Sequence, residues 1–170
     1  MPSPADAARQ RLKSWLALGE AAAFLLLARI AVALVPFRTL VSVVSRPPRR
    51  SEISGRERNR ARREVSSAVA RANHRLLGRT TCLHRAMTAQ SMLRRRGVAA
   101  TLYYGAATLP GKGLTAHAWV SDGAKGIVGF EEAPRYTVLA RYPESGECVQ
   151  DQTCDRHRRL KWKRKTWTRR

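Results

Sequence analysis

The sequence predicts an α+β domain in which a helix that begins with a cysteine packs on a small antiparallel sheet, with an apolar helix preceding both. Residues 16–37 are apolar on nearly every side of a helix. Cys82 opens a second segment whose apolar residues recur at helical spacing. Residues 98–130 then contain strand-like stretches separated by turn residues. Helices followed by a run of strands are typical of this fold class.

Basic residues dominate the charge of the chain. Its 170 residues include 33 Lys and Arg against 12 Asp and Glu, a formal net charge of +21, which far exceeds what solubility requires. The excess indicates an acidic partner, such as nucleic acid, an anionic membrane surface or an acidic peptide. It is concentrated in residues 46–63 and 156–170, on either side of the predicted chemistry.

Composition divides the chain into four segments. We predict an apolar N-terminal helical segment (1–45), a basic linker with the start of a helix (46–63), a core (64–143) and a basic, disordered tail (144–170). The chemistry is therefore expected in the third segment.

The apolar helix carries two charged residues on opposite sides. Glu20 and Arg29 lie about 180° apart at roughly 100° per residue, so the helix has no single polar face. About twenty such residues are enough to span a bilayer, but each charge would cost a few kcal/mol near its centre. We favour a helix that is buried against the domain or lies in a membrane interface over a transmembrane helix.

Two further helices are expected before the sheet. Residues 57–74 show a charged helical pattern with an apolar side. Thr81 is a suitable N-cap, which makes Cys82 the first helical residue, and Gly97 supplies the stop. Unpaired N–H groups and the helix dipole at that position favour a thiolate. His84, in the same first turn, is expected to face solvent.

Strand-like segments follow at residues 98–104, 115–121 and 127–130, the last two joined by an Asp-Gly turn. Strand alternation places His117 on the same face as Trp119. A cysteine that opens a helix and a histidine on a later strand are the minimum apparatus for thiol nucleophilic catalysis. The opposing interpretation is that both are structural, since a lone buried cysteine is more often inert.

Two stretches carry a resemblance to a known family. Residues 82–97 (CLHRAMTAQSMLRRRG), followed by residues 116–120 (AHAWV), resemble the transglutaminase-like cysteine protease of lasso-peptide biosynthesis. The apolar segment that ends in Val-Pro-Phe-Arg also resembles the start of those proteins, and the likeness covers roughly residues 12–142. It implies a transglutaminase/papain-like core over residues 64–143.

The resemblance also implies an activity and partners. The expected enzyme is a leader peptidase that cleaves a ribosomally made precursor peptide. It would work with a separate leader-recognition protein and an ATP-dependent macrolactam cyclase. No cofactor or metal is implied, and nucleic acid is not an expected partner.

By the same resemblance Cys82 is the nucleophile and His117 its base. The family usually offers an aspartate on the strand after the histidine, but Gly129 stands at that place. Glu131 shares strand parity with Gly129 and is the candidate third member, with Asp122 as the other carboxylate. A backbone carbonyl or an amide side chain is a further alternative.

Other interpretations start from the rest of the chain. The basic, aromatic tail supports a nucleic-acid-binding protein with structural Cys and His, although no nucleic-acid motif is present. Acyl transfer to an amine would use the same thiol. Cys148, Cys154 and His157 lack a fourth ligand, so zinc is not expected. An odd number of cysteines and no cleavable signal peptide indicate a cytoplasmic protein, with membrane association through the apolar helix as the alternative.

Overall fold

The computed structural model describes residues 4–36, 39–40, 53–77, 80–123 and 125–143. The predicted basic tail and the first part of the predicted linker (46–52) lie outside them, as do Cys148, Cys154 and His157. The helices are α1 (Pro4–Leu34), α2 (Gly55–Ala72) and α3 (Cys82–Arg95). The strands are β1 (Thr101–Leu109), β2 (Gly113–Asp122), β3 (Lys125–Val128) and β4 (Thr137–Tyr142).

Helix α1 starts earlier than its apolar stretch. It begins at Pro4, where a missing N–H costs nothing, and Asp6 complements the dipole in its first turn. The helix ends at Leu34, just before Pro36, because the residue preceding a proline is pushed out of the helical region. By length and composition Ala8–Leu34 could cross a membrane.

Helices α2 and α3 both start with capping boxes. The Ser54 hydroxyl accepts the N–H of Glu57, and the Glu57 carboxylate accepts the N–H of Ser54. Thr81 caps α3, as the sequence predicts, and Gly97, with a φ of 77°, ends it. A π-helical turn (Asn73–Leu77) follows α2.

The sheet is antiparallel, in the order β3-β2-β1-β4. The predicted turn at Asp122 and Gly123 joins β2 to β3, and His117 pairs with Gly105 across β1. Strand β4 was not predicted from the sequence. A 3₁₀ helix (Phe130–Arg135) turns the chain back so that β4 pairs with the far side of β1.

The three helices and one face of the sheet share a single apolar core. Ala118 and Val120 of β2 belong to this core, together with side chains from every helix. His117 and Trp119 alternate with them and therefore point to the opposite face of β2. The predicted segment boundaries stay a prediction, although α1 packs directly on α2 and α3.

Glu20, one of the two charges in the apolar helix, is held by an ion-pair network. The Arg96 guanidinium contacts Glu20 at 2.6 Å and 3.2 Å and Glu64 of α2 at 3.2 Å. Burial acts to lower the pKa of Arg96, but the hydrogen bonds and charges of Glu20 and Glu64 outweigh it and raise this pKa. One cation thus links all three helices.

Replacing Arg96 tests this network. The variant Arg96→Ala removes the cation that binds Glu64 and leaves Glu20 with the longer Arg95 contact of 3.6 Å, so we expect a loss of about 1–3 kcal/mol in the free energy of unfolding. Urea unfolding measures it, and Arg63→Ala, on the exposed side of α2, is the matched control. Equal stability of the two variants would show that the network contributes nothing.

Candidate active site

Cys82 occupies the first position of α3. Thr81 precedes it in extended backbone conformation, with φ −77° and ψ 164°, so the helix begins abruptly at the cysteine. The Cys82 thiol is free and half-buried. Backbone N–H groups at the start of an α-helix have no partner within the helix and carry the positive end of its dipole.

His84 stabilises the same turn, contrary to the expectation that it faces solvent. Its side chain is buried, and Nδ1 accepts the N–H of Thr81 at 3.1 Å. Thr81 Oγ1 in turn accepts the N–H of His84 at 3.5 Å, which completes a reciprocal capping box. Histidine here takes the position usually filled by Glu or Gln. The sequence prediction was wrong because the capping bond turns the imidazole back toward the start of the helix.

The capping bond fixes the protonation of His84. A nitrogen that accepts a backbone N–H cannot carry a proton, so the imidazole is neutral with its proton on Nε2. That nitrogen is buried and has no hydrogen-bond partner among the residues that the structure describes. Burial, and to a lesser extent the charge of Arg29 on α1, lower the pKa of His84. At neutral pH His84 therefore stays uncharged and keeps its hydrogen bond to the N–H of Thr81.

His117 is held by a backbone carbonyl. Its Nε2 lies 2.7 Å from the carbonyl oxygen of Gly129, and the imidazole is buried. A carbonyl only accepts hydrogen bonds, so Nε2 carries the proton and the lone pair of the neutral ring is on Nδ1. The residue at the place where the family offers a carboxylate thus supplies its main-chain oxygen.

Gly129 fits this position because it has no side chain. Its φ is 70°, in the left-handed region, and a Cβ would lie 3.2 Å from His117 Nε2 and 3.0 Å from the carbonyl of Ala118. A larger residue would push against the imidazole that the carbonyl now holds.

Aromatic rings surround the imidazole. Tyr136 and Trp119 stack on His117 at centroid distances of 5.0 Å and 5.9 Å, and Tyr103 stacks on Trp119 at 5.6 Å. Gly105, opposite His117, leaves room for the indole, because a Cβ there would lie 3.0 Å from it. The rings shield His117 from water and restrict its rotation.

The two candidate carboxylates lie elsewhere. Glu131 is exposed in the 3₁₀ helix, whereas Asp122 is buried and bound by Arg62 at 2.9 Å and by Arg58 at 3.3 Å. Neither makes a hydrogen bond to His117 within the described residues. The carbonyl of Gly129 is therefore the group that orients the imidazole in this structure.

Cys82 and His117 are placed on neighbouring elements. Helix α3 packs against β2, and Cys82 contacts the core that Ala118 and Val120 share, whereas His117 points to the other face of the strand. No hydrogen bond joins the thiol to the imidazole in this part of the chain. Their pairing as a dyad stays a prediction.

Comparison with known families identifies the superfamily of the domain. Residues 22–141 match the Transglutaminase-like superfamily, which is more than half of the chain. The protein therefore belongs to the transglutaminase-like superfamily, and the predicted fold class is confirmed. No curated protein and no solved structure matches it.

Sequence reasoning missed two neighbours of the site. Tyr136 reaches His117 only because the 3₁₀ helix folds back toward β2, and no local pattern signals that. The capping role of His84 did have a signal, since it stands three residues after Thr81, where Glu or Gln completes a capping box.

The lowered pKa of His84 predicts a pH-dependent stability. Below about pH 6.5 the unfolded chain binds a proton on His84 before the folded chain does, so stability falls as the pH drops. Glutamine keeps a neutral acceptor at all pH values. We expect His84→Gln to remove this component in urea unfolding between about pH 7.5 and 5. An unchanged pH dependence would contradict the capping role.

The steric restriction at Gly129 can be tested by comparing the stability lost on substitution there with the loss at a second glycine. Gly123 also has a left-handed φ, of 60°, but a Cβ there meets nothing within 4 Å. We expect Gly123→Ala to cost about 1–2 kcal/mol from backbone strain alone, and Gly129→Ala about 1–3 kcal/mol more. Equal losses in urea unfolding would show that the imidazole is not confined by this residue.

Proposed function

We propose that this protein is a cysteine peptidase that removes the leader from a ribosomally made lasso-peptide precursor. Cys82 is the nucleophile and His117 the general base. The observation that carries the proposal is the His117–Gly129 hydrogen bond, because it leaves the lone pair of His117 on Nδ1. Membership of the superfamily and the position of Cys82 at the start of α3 support it.

The reaction needs two steps. His117 Nδ1 takes the proton of Cys82, and the sulfur attacks the carbonyl carbon at the leader–core junction. Collapse of the tetrahedral intermediate breaks the peptide bond, and His117 gives its proton to the departing amine of the core. The leader is then a thioester on Cys82, which water hydrolyses with His117 again as base. The products are a leader carboxylate, a core with a free N-terminus and the restored thiol.

The start of α3 supplies the electrostatic part of the proposal. Backbone N–H groups of the first turn, which begins at Cys82, have no partner within the helix, and they are the expected donors to negative charge that develops on the substrate oxygen. Each such donor contributes on the order of 3 kcal/mol to transition-state stabilisation in comparable sites. The capping bond of His84 holds this turn in place.

That the partner of His117 is a neutral carbonyl and not a carboxylate has a chemical consequence. It fixes the tautomer and the ring orientation as a carboxylate would, but it stabilises the imidazolium less because it carries no full charge. Glu131, the carboxylate proposed from the sequence, would have to reach the ring from an exposed position.

The partners of the proposal follow from the resemblance. A separate recognition protein would present the precursor, and a macrolactam cyclase would consume the free amine of the core. The net charge of +21 suits an acidic peptide leader.

Acyl transfer is the second candidate. The superfamily includes transferases as well as proteases, and both begin with the same thioester. Only the acceptor differs, since an amine would replace water in the second step.

Mass spectrometry of a precursor peptide tests the proposal. We expect the native chain with its recognition protein to release the leader, and Cys82→Ala to lower the rate by about 10³-fold or more because the nucleophile is gone. Cys148→Ala and Cys154→Ala are matched controls that keep Cys82. Cleavage by the Cys82→Ala protein would overturn the mechanism, and a leader–amine adduct formed with added amine would favour transfer.

Thiol alkylation tests the role of His117 without a substrate. In a chain whose only cysteine is Cys82, we expect His117→Ala to slow the reaction with iodoacetamide at about pH 6.5 by tenfold or more. The reason is that the variant has no imidazole to take the proton of the thiol. His74→Ala, an exposed histidine after α2, is the control. An unchanged rate would exclude His117 as the partner of the thiol.

A further inference from the structure

Helix α1 exposes a continuous apolar surface. Its large apolar side chains there, which we call the outer stripe, are between 47% and 78% exposed: Leu12, Trp15, Leu16, Leu26, Leu27, Ile30 and Leu34. At about 100° per residue they fall within an arc of roughly 120°. At 1.5 Å per residue the outer stripe is about 33 Å long. A surface of this length is larger than the scattered apolar residues of ordinary soluble proteins.

The opposite side of α1 is already occupied. Ala17, Leu18, Ala21, Leu25 and Ala28 are buried in the core that α1 shares with α2 and α3. The helix therefore has two apolar faces, and the part of the chain that the structure describes covers only one of them. The outer stripe needs a second partner.

The composition of the outer stripe selects the kind of partner. Between Leu12 and Leu34 its arc contains only Leu, Ile, Trp, Ala and Gly, with no polar side chain. Protein partners usually need hydrogen-bonding groups around an apolar centre, whereas a lipid acyl layer needs none. Trp15 suits the boundary between headgroups and acyl chains.

Basic side chains flank the outer stripe. Arg9, Arg11, Lys13 and Arg29 are exposed on α1 beside it. Long cationic side chains at such edges extend toward lipid phosphates while their stems stay on the apolar surface. The net charge of +21 adds attraction to an anionic bilayer.

The packing of α1 decides its orientation. Glu20 is bound by Arg96, and the inner face of α1 lies against two helices whose outer sides are charged. Drawing this assembly into hydrocarbon would bury those charges at a cost of several kcal/mol each. An orientation parallel to the membrane leaves them in water.

We propose that α1 lies in the plane of an anionic membrane surface, with the outer stripe in the acyl boundary and the flanking basic residues at the phosphates. Helix α3, which packs on α1, is then about one interhelical distance, roughly 10 Å, from the helix that contacts the lipid. This inference goes beyond the proposed peptidase activity and does not depend on it.

Co-sedimentation with vesicles tests the proposal. Full-length protein is mixed with phosphatidylcholine vesicles with or without about 25% phosphatidylglycerol, at about 0.15 M and 0.5 M NaCl. The double variant Leu26→Gln and Ile30→Gln keeps the net charge but makes the outer stripe polar. Leu114→Gln and Leu139→Gln is the matched control, since these leucines are 81% and 52% exposed on the sheet.

We expect the affinity of the outer-stripe variant for anionic vesicles to fall by about tenfold or more, while the control binds as the native chain does. At high salt the native chain should keep the apolar part of its binding. Equal binding by both variants, or complete loss of native binding at high salt, would overturn the proposal. So would a lipid-free dimer that the outer-stripe variant converts to monomer, because a second copy would then cover the surface. Circular dichroism confirms that each variant is folded.

Discussion

The hydrogen bond from His117 to the carbonyl of Gly129 is the constraint on which the rest of the site depends. It determines which imidazole nitrogen carries the proton and therefore which nitrogen can accept one. The left-handed backbone of Gly129 and the absence of a side chain make the close approach sterically feasible. The stacked rings of Trp119 and Tyr136 then hold the imidazole in that orientation.

The start of α3 follows the same principle on the other side of the proposed chemistry. There Thr81 and His84 cap each other, and the reciprocal bonds fix the turn that contains Cys82. Each of the two histidines bonds a backbone group through one ring nitrogen, but with opposite tautomeric roles. His84 accepts through Nδ1, whereas His117 donates through Nε2. Main-chain contacts therefore set the tautomers of His84 and His117.

The extent to which sequence predicted the structure depends on how local each signal is. The start of α3 at Cys82 and the turn at Asp122 were predicted because caps and turns are encoded within a few residues. Strand β4 and the contact of Tyr136 with His117 were not, because both depend on where the 3₁₀ helix returns the chain. The sequence located Gly129 but could not choose its carbonyl over Glu131, since the choice rests on backbone geometry.

The most direct test of this account is the tautomer of His117, measured by ¹⁵N NMR of the imidazole in a Cys82→Ala protein, which has no thiol to exchange a proton with the ring. The His117 resonances can be assigned with a His117→Gln variant. The account predicts a neutral ring with its proton on Nε2 and an unprotonated Nδ1, as donation to the Gly129 carbonyl requires. A neutral ring protonated on Nδ1 would contradict it, because that nitrogen could not serve as the base for Cys82.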